Sequence, residues 1–381
     1  MKLNRKEFLS LSGKTLMGLP FFPALMTQAW SHPETPKMMT GEAMIEVKVK
    51  KLILKHTWTI SRNSSDFKNN VFVRLEKDGI VGYGEAAPNV RYGESAEKTV
   101  KRIQEASHLL NNRDFFHYVE IKEALDGVIV DQNCARAALD IALMDWVGKA
   151  LGVPLYRLWG LNPERAPVTS FSIGIDTPEM IRKKVKEAEA FPILKIKVGT
   201  DRDEEIIQAV RSVTDKPIRV DANEGWKSRE EALEKIQWLK DQGVEFIEQP
   251  MPAEQIDDIA WLRERVDMPI VADEAVKTAA DIPRLVGAYD GINIKLMKSG
   301  GLQEAWRMIQ LAKALGLKIM LGCMIESSVA ISAAAQLAPY ADWLDLDGNL
   351  LISNDPFSGV KVEQGKLIFP DRPGLGVEGT F

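Results

Sequence analysis

From about residue 166 to 348 the chain repeats one unit: a short apolar run rich in Val and Ile, closed by polar or charged residues and followed by an amphipathic segment. The runs are SFSIGI, LKIKV, IRVDA, EFIEQP, IVADEA, GINIKL, LKIMLGC and WLDLDG. Lys195 and Lys197, Asp221, Glu248, Asp273 and Lys295 close five of them at steps of about 25 residues, the length of one strand–helix unit. Runs of this kind read as parallel strands buried on both faces. Strict strand–helix alternation predicts an α/β barrel whose strand C-termini all open on one face. The eighth run lacks a full helix after it, so the expectation is a (β/α)7β barrel over 166–348.

The segment before the barrel has a different pattern. IEVKVKKLILKH and NVFVRLEKDGIVGYGEA alternate like antiparallel strands, with Lys77-Asp78-Gly79 as a turn. Helical periodicity follows in SAEKTVKRIQEASHLL, HYVEIKEALDG and CARAALDIALMDWVGKALG. Strands followed by helices predict an α+β capping domain over 44–165. The turn-rich tail, 349–381, is expected to return to it.

Composition removes several function classes. A net charge of -5 offers no basic footprint for nucleic acid. Cys134 and Cys323 lie far apart in apolar contexts, which argues against a disulfide framework. His32, His56, His108 and His117 all precede the barrel, so a histidine-based triad or metal site is not expected at its mouth. Residues 1–30 carry Lys2, Arg5 and Lys6, then LMGLPFFPALM and TQAWS, which resembles an export signal cleaved after Ala29 and implies a periplasmic protein. If the segment is not a working signal, the protein is cytoplasmic. No other stretch is long and apolar enough to span a membrane, so none is expected to hold the mature chain there.

Asp221, Glu248 and Asp273 end consecutive strands and converge on one mouth. A single acid at a strand end commonly caps the next helix. Three together repel one another, and a hard cation with oxygen ligands such as Mg²⁺ resolves that repulsion. Asn223, Gln249 and Glu274 stand beside them as supporting partners. Lys195 and Lys197 lie two apart on one strand and point the same way, and their mutual repulsion together with the nearby cation is expected to lower the pKa of one. Lys295 lies four strands on, across the barrel. Bases on opposite faces suit a racemase or epimerase. Lys298 is expected to be solvated or tied to the following helix. Asp345 and Asp347, again two apart, suit a cation such as an α-ammonium, or else a salt bridge to a barrel lysine.

The elements Lys195-Ile196-Lys197, VDANEGW, EQP, ADE and NIKLMKSGG, with YGEAAP, RYGES and PGLGV, resemble the enolase superfamily in its muconate-lactonizing-enzyme-like group. The Asp-x-Asp of WLDLDG and the GCMIES run resemble its dipeptide epimerase branch. The resemblance implies an enolase-like fold, Mg²⁺ on the three acids and proton abstraction by a lysine or histidine base acting with Mg²⁺. It implies Lys197 and Lys295 as bases and Lys195 as support for the substrate carboxylate. Asp345 and Asp347 would hold the N-terminus of a dipeptide, with Ser172, Cys323 and Met324 near the peptide. Arg62, in the loop HTWTISRNSSDF, would meet a Glu side chain, with Arg91 as the alternative and Tyr92 as a lid residue. The implied activity is an isomerase's: epimerisation of L-Ala-D/L-Glu from murein peptides, in a chain that could form a homo-oligomer. Other Ala-X dipeptides, N-acylamino-acid racemisation, cycloisomerisation and o-succinylbenzoate synthesis are the alternatives. A non-catalytic peptide-binding protein is the reading from another class.

Overall fold

The computed structural model describes residues 42–379. The proposed export segment therefore lies outside the described residues. Strands β1 (Met44–Ile60), β2 (Asn63–Lys77) and β3 (Ile80–Ala86) form one antiparallel sheet in sequence order. The segment HTWTISRNSSDF is not an open loop. Pairing runs from Met44↔Glu76 to Ile60↔Asn63, with an irregularity between Ile53 and Trp58, so only Ser61 and Arg62 make the turn. Thr, Trp and Ile there are good strand formers, which explains the extension. At the second turn Asp78 and Gly79 both take positive φ, as a two-residue hairpin requires.

Helices Ala96–Ala106, Tyr118–Val128 and Asn133–Ala150 follow. The last packs directly on the sheet. Its run of alanines brings its backbone so close to β3 that a Cβ on Gly84 would sit 1.9 Å from the Ala138 carbonyl oxygen. Only glycine permits that approach.

Strands β4 (Phe171–Ile173), β5 (Leu194–Lys197), β6 (Ile218–Asp221), β7 (Val244–Glu248), β8 (Ile270–Ala272), β9 (Gly291–Ile294), β10 (Lys318–Gly322) and β11 (Trp343–Asp345) pair in parallel and in sequence order. A parallel bridge between Thr169 and Leu344 joins first to last, with Ser170 N–H donating to the Leu344 carbonyl at 3.1 Å. The eight runs seen in the sequence are these strands, and the barrel is nearly closed. α-Helices follow most of them, but β8 is followed by a 3₁₀ segment, Ala279–Leu285, in place of the expected amphipathic α-helix. Pro283 inside it lacks an N–H and excludes a regular helix.

After β11 the chain makes a 3₁₀ turn at Gly348–Leu350 and runs back along the capping sheet. Lys55 N–H donates to Leu351 O at 2.9 Å, and Ser353 N–H donates to Ile53 O at 2.8 Å. Phe357 stacks on Phe72 with ring centroids 5.7 Å apart, and Leu375 N–H donates to the buried Asp145 at 2.8 Å. Cap, barrel and tail share one continuous core. The cap is thereby held over the strand C-termini.

Candidate active site

Strand register levels the acids. Lys197 is paired with Asp221, and Asp221 with Glu248. Asp273 follows β8 directly, and one oxygen from each of the three carboxylates lies within 4.8 Å of the others. All three are buried. Burial, with the Asp221 charge beside it, pushes Glu248 up to about 8. For Asp221 and Asp273 burial acts the same way, but neighbouring lysines outweigh it and hold both below the carboxylate range. Glu248 Oε2 makes no hydrogen bond, although it lies 2.7 Å from Lys195 Nζ. A buried carboxylate oxygen without a hydrogen bond, facing two more acids, fits a divalent cation with hard oxygen ligands. These residues fit Mg²⁺.

The lysines enter from both sides. Lys195 Nζ is fully buried, 2.7 Å from Asp345 Oδ2 and 3.3 Å from Asp221 Oδ2. Burial alone would lower its pKa, but Asp345, Glu248 and Asp221 raise it well above the ordinary lysine value. Three acids around one ammonium thus outweigh its burial. Lys197 Nζ meets Asp221 Oδ2 at 2.5 Å, and Lys295 Nζ meets Asp273 Oδ2 at 2.7 Å. β5 and β9 are four strands apart in an eight-stranded ring, so Lys197 and Lys295 reach the mouth from opposite walls.

Lys298 is neither solvated nor helix-linked. It is 2 % exposed, contacts Asp273 Oδ1 at 2.5 Å and donates to the Asn293 carbonyl at 3.1 Å. The short helical turn Leu296–Ser299 folds it back under the site. Asn293 was not singled out from the sequence. Its amide donates to Glu248 Oε1 at 2.8 Å. An Asn inside the otherwise apolar GINI run was the available signal, since such a group is kept buried only for a partner. Gln249 supports Asp273 by accepting from its N–H at 2.9 Å and donating to Tyr289 Oη at 3.1 Å. Asn223 N–H donates to Asp221 Oδ1 at 2.9 Å. Asn223, Glu224 and Gln249 take left-handed φ of 44°, 65° and 35°, an uncommon conformation for such residues that recurs at functional strand ends.

Asp345 realises the salt-bridge reading: besides Lys195, its Oδ1 accepts from Ser170 Oγ at 2.9 Å and Ser172 Oγ at 3.0 Å. Asp347 is freer. Its Oδ2 accepts from Ser172 N–H at 2.6 Å, while its Oδ1 has Cys323 Sγ at 3.8 Å. Burial and the Asp345 charge raise Asp347 to about 7. Met324 N–H donates to Glu326 Oε1 at 2.8 Å, and the Asn89 amide meets the Met324 sulfur at 3.4 Å.

These groups open into a cavity of about 220 Å³ lined by Trp58, Tyr92, Lys197, Lys295, Met324 and Asp347, among others. The β1–β2 hairpin turn and the segment around Val90–Tyr92 reach it from the cap. Arg62 lines the cavity, but its guanidinium donates to Glu274 at 2.6 Å, Glu224 at 2.9 Å and the Asn223 carbonyl at 2.6 Å. Arg91 grips Glu224 with two bonds of 2.8 Å. The two arginines therefore latch the cap to the loops after β6 and β8, and both have their charge matched by protein carboxylates.

Comparison with known proteins agrees with this geometry. Residues 44–160 match the mandelate racemase / muconate lactonizing enzyme N-terminal domain, and residues 179–380 match the enolase C-terminal domain-like family. An L-Ala-D/L-Glu epimerase of Bacteroides thetaiotaomicron is 50% identical over 327 residues, covering 86% of this chain and 85% of that protein. An L-Ala-D/L-amino acid epimerase of Pedosphaera parvula is 44% identical, covering 86% and 96%. The crystal structure of a dipeptide epimerase from Cytophaga hutchinsonii, complexed with Mg and the dipeptide D-Ala-L-Val, superposes with a TM-score of 0.85 at 30% identity, covering 90% of this chain and 96% of that one. With its barrel, its cap and its paired lysines, the chain belongs to the enolase superfamily, in the mandelate racemase / muconate lactonizing enzyme group, as an isomerase of the dipeptide epimerase branch.

Proposed function

We propose that the protein epimerises the C-terminal residue of dipeptides, with L-Ala-D/L-Glu from murein peptides as the main substrate. The observation that carries the reading is the approach of Lys197 and Lys295 to one cavity from opposite barrel walls. The neutral amine of one lysine takes the α-proton, and the ammonium of the other delivers a proton to the opposite face. Lys195 donates to the substrate carboxylate, where its charge offsets the charge that develops there. Asp221, Glu248 and Asp273 would hold Mg²⁺. Held there, the cation would supply Lewis-acid stabilisation of charge on that carboxylate. Asp347, less saturated than Asp345, takes the substrate ammonium. Ser172 orients it through the N–H that Asp347 accepts.

The acidic side chain is supported by the name of the Bacteroides relative, and the site beside Cys323 and Met324 leaves room for a peptide backbone. Action outside the cytoplasm is part of the proposal and rests on residues 1–30 alone. The test is incubation with L-Ala-L-Glu, Mg²⁺ and D₂O. Deuterium should enter the α-position of Glu and both diastereomers should form. Exchange with N-acylamino acids and none with any dipeptide would overturn the reading.

A further inference from the structure

Four cationic side chains line the catalytic cavity: Arg62, Lys68, Lys197 and Lys295. Three have acids against them. Arg62 meets Glu224 and Glu274, Lys197 meets Asp221, and Lys295 meets Asp273. Among the described residues, Lys68 has no hydrogen-bond or ion-pair partner. It lies on β2 opposite the buried Leu52, on the face that also carries Asn70. Asn70 points at the barrel, donating to the Ile325 carbonyl beyond β10 at 3.0 Å. Side chains two apart on a strand share a face, so Lys68 is directed to the same mouth.

We propose that Lys68 binds the side-chain carboxylate of the substrate's C-terminal residue. The inference rests on the dipeptide reading above and deepens it. Arg62 was the sequence candidate for this contact and Arg91 its alternative, but each is already neutralised by Glu224 or Glu274, so a second carboxylate there would add negative charge to an acid-rich cluster. Lys68 stands partly out of water with its charge unmatched, and burial lowers its pKa. An incoming carboxylate removes that imbalance and gains a charge-assisted hydrogen bond. An apolar side chain gains nothing at Lys68.

The test compares kcat/KM for L-Ala-L-Glu and L-Ala-L-Leu in the unaltered protein, Lys68→Met and Lys68→Arg. Lys68→Met should lower the value for Ala-Glu by roughly ten- to hundredfold, the loss expected for one charge-assisted contact. Ala-Leu should change by no more than about threefold, within the ordinary effect of a surface substitution. It also serves as the control for folding. Lys68→Arg should retain most of the Ala-Glu activity, because it keeps the charge. Equal losses on both dipeptides, or an unaltered protein that turns over Ala-Leu but not Ala-Glu, would overturn the assignment. No exchange with either dipeptide in the unaltered protein would remove the epimerase reading itself, and this assignment with it.

Discussion

Glu326→Gln should stabilise the protein, and the gain should grow with pH. Glu326 is 1 % exposed, accepts from Met324 N–H at 2.8 Å, and feels the Lys295 charge only as a minor influence. Burial, with the Glu85 charge behind it, raises its pKa from 4.5 to about 8. The folded protein therefore holds a proton that the unfolded chain has released between those values. Unfolding in that window releases a proton, so stability falls as pH rises from near 4.5 and levels off above 8. At about 1.4 kcal/mol per unit, the full shift corresponds to a ceiling of about 5 kcal/mol. Structural relaxation brings the expected difference nearer 2 kcal/mol. Gln keeps the acceptor for Met324 N–H and carries no charge at any pH. Thermal midpoints of both proteins at pH 5, 7 and 9 provide the assay. The variant should match the parent at pH 5 and exceed it by about 3 °C at pH 9. Other buried acids such as Asp140 titrate in both proteins and cancel in the difference. A pH-independent difference, or a less stable variant at pH 9, would refute the reasoning.

Asp221→Asn, Glu248→Gln and Asp273→Asn should each weaken Mg²⁺ binding in calorimetry and abolish turnover; undiminished turnover by Glu248→Gln without added metal would remove the metal assignment. Lys197→Ala and Lys295→Ala should both lose net epimerisation, and each should still exchange the α-proton of one diastereomer in D₂O. Wild-type epimerisation rates in both would end the two-base mechanism. Gly84→Ala should cost about 1–3 kcal/mol or prevent folding, read as a fall in thermal midpoint, because its Cβ has no room against the Ala138 carbonyl.

The barrel was legible in the sequence because its signals are local. Apolar runs at a fixed step and the turn chemistry between them do not depend on what the strands later touch, and parallel closure then forces Asp221, Glu248 and Asp273 to one end. Lys195 and Lys197 facing one way follows from strand period alone. Partners across the fold are another matter. Lys195 and Asp345 are 150 residues apart and meet only because β4 closes the ring on β11. Lys298 could be judged solvated until the turn at Leu296–Ser299 folded it onto Asp273. Arg62 became a latch when the cap docked over Glu224 and Glu274, and that same docking left Lys68 without an acid. Which charge remains available to a ligand depends on every other charge brought within a few ångströms, and only the folded chain decides that.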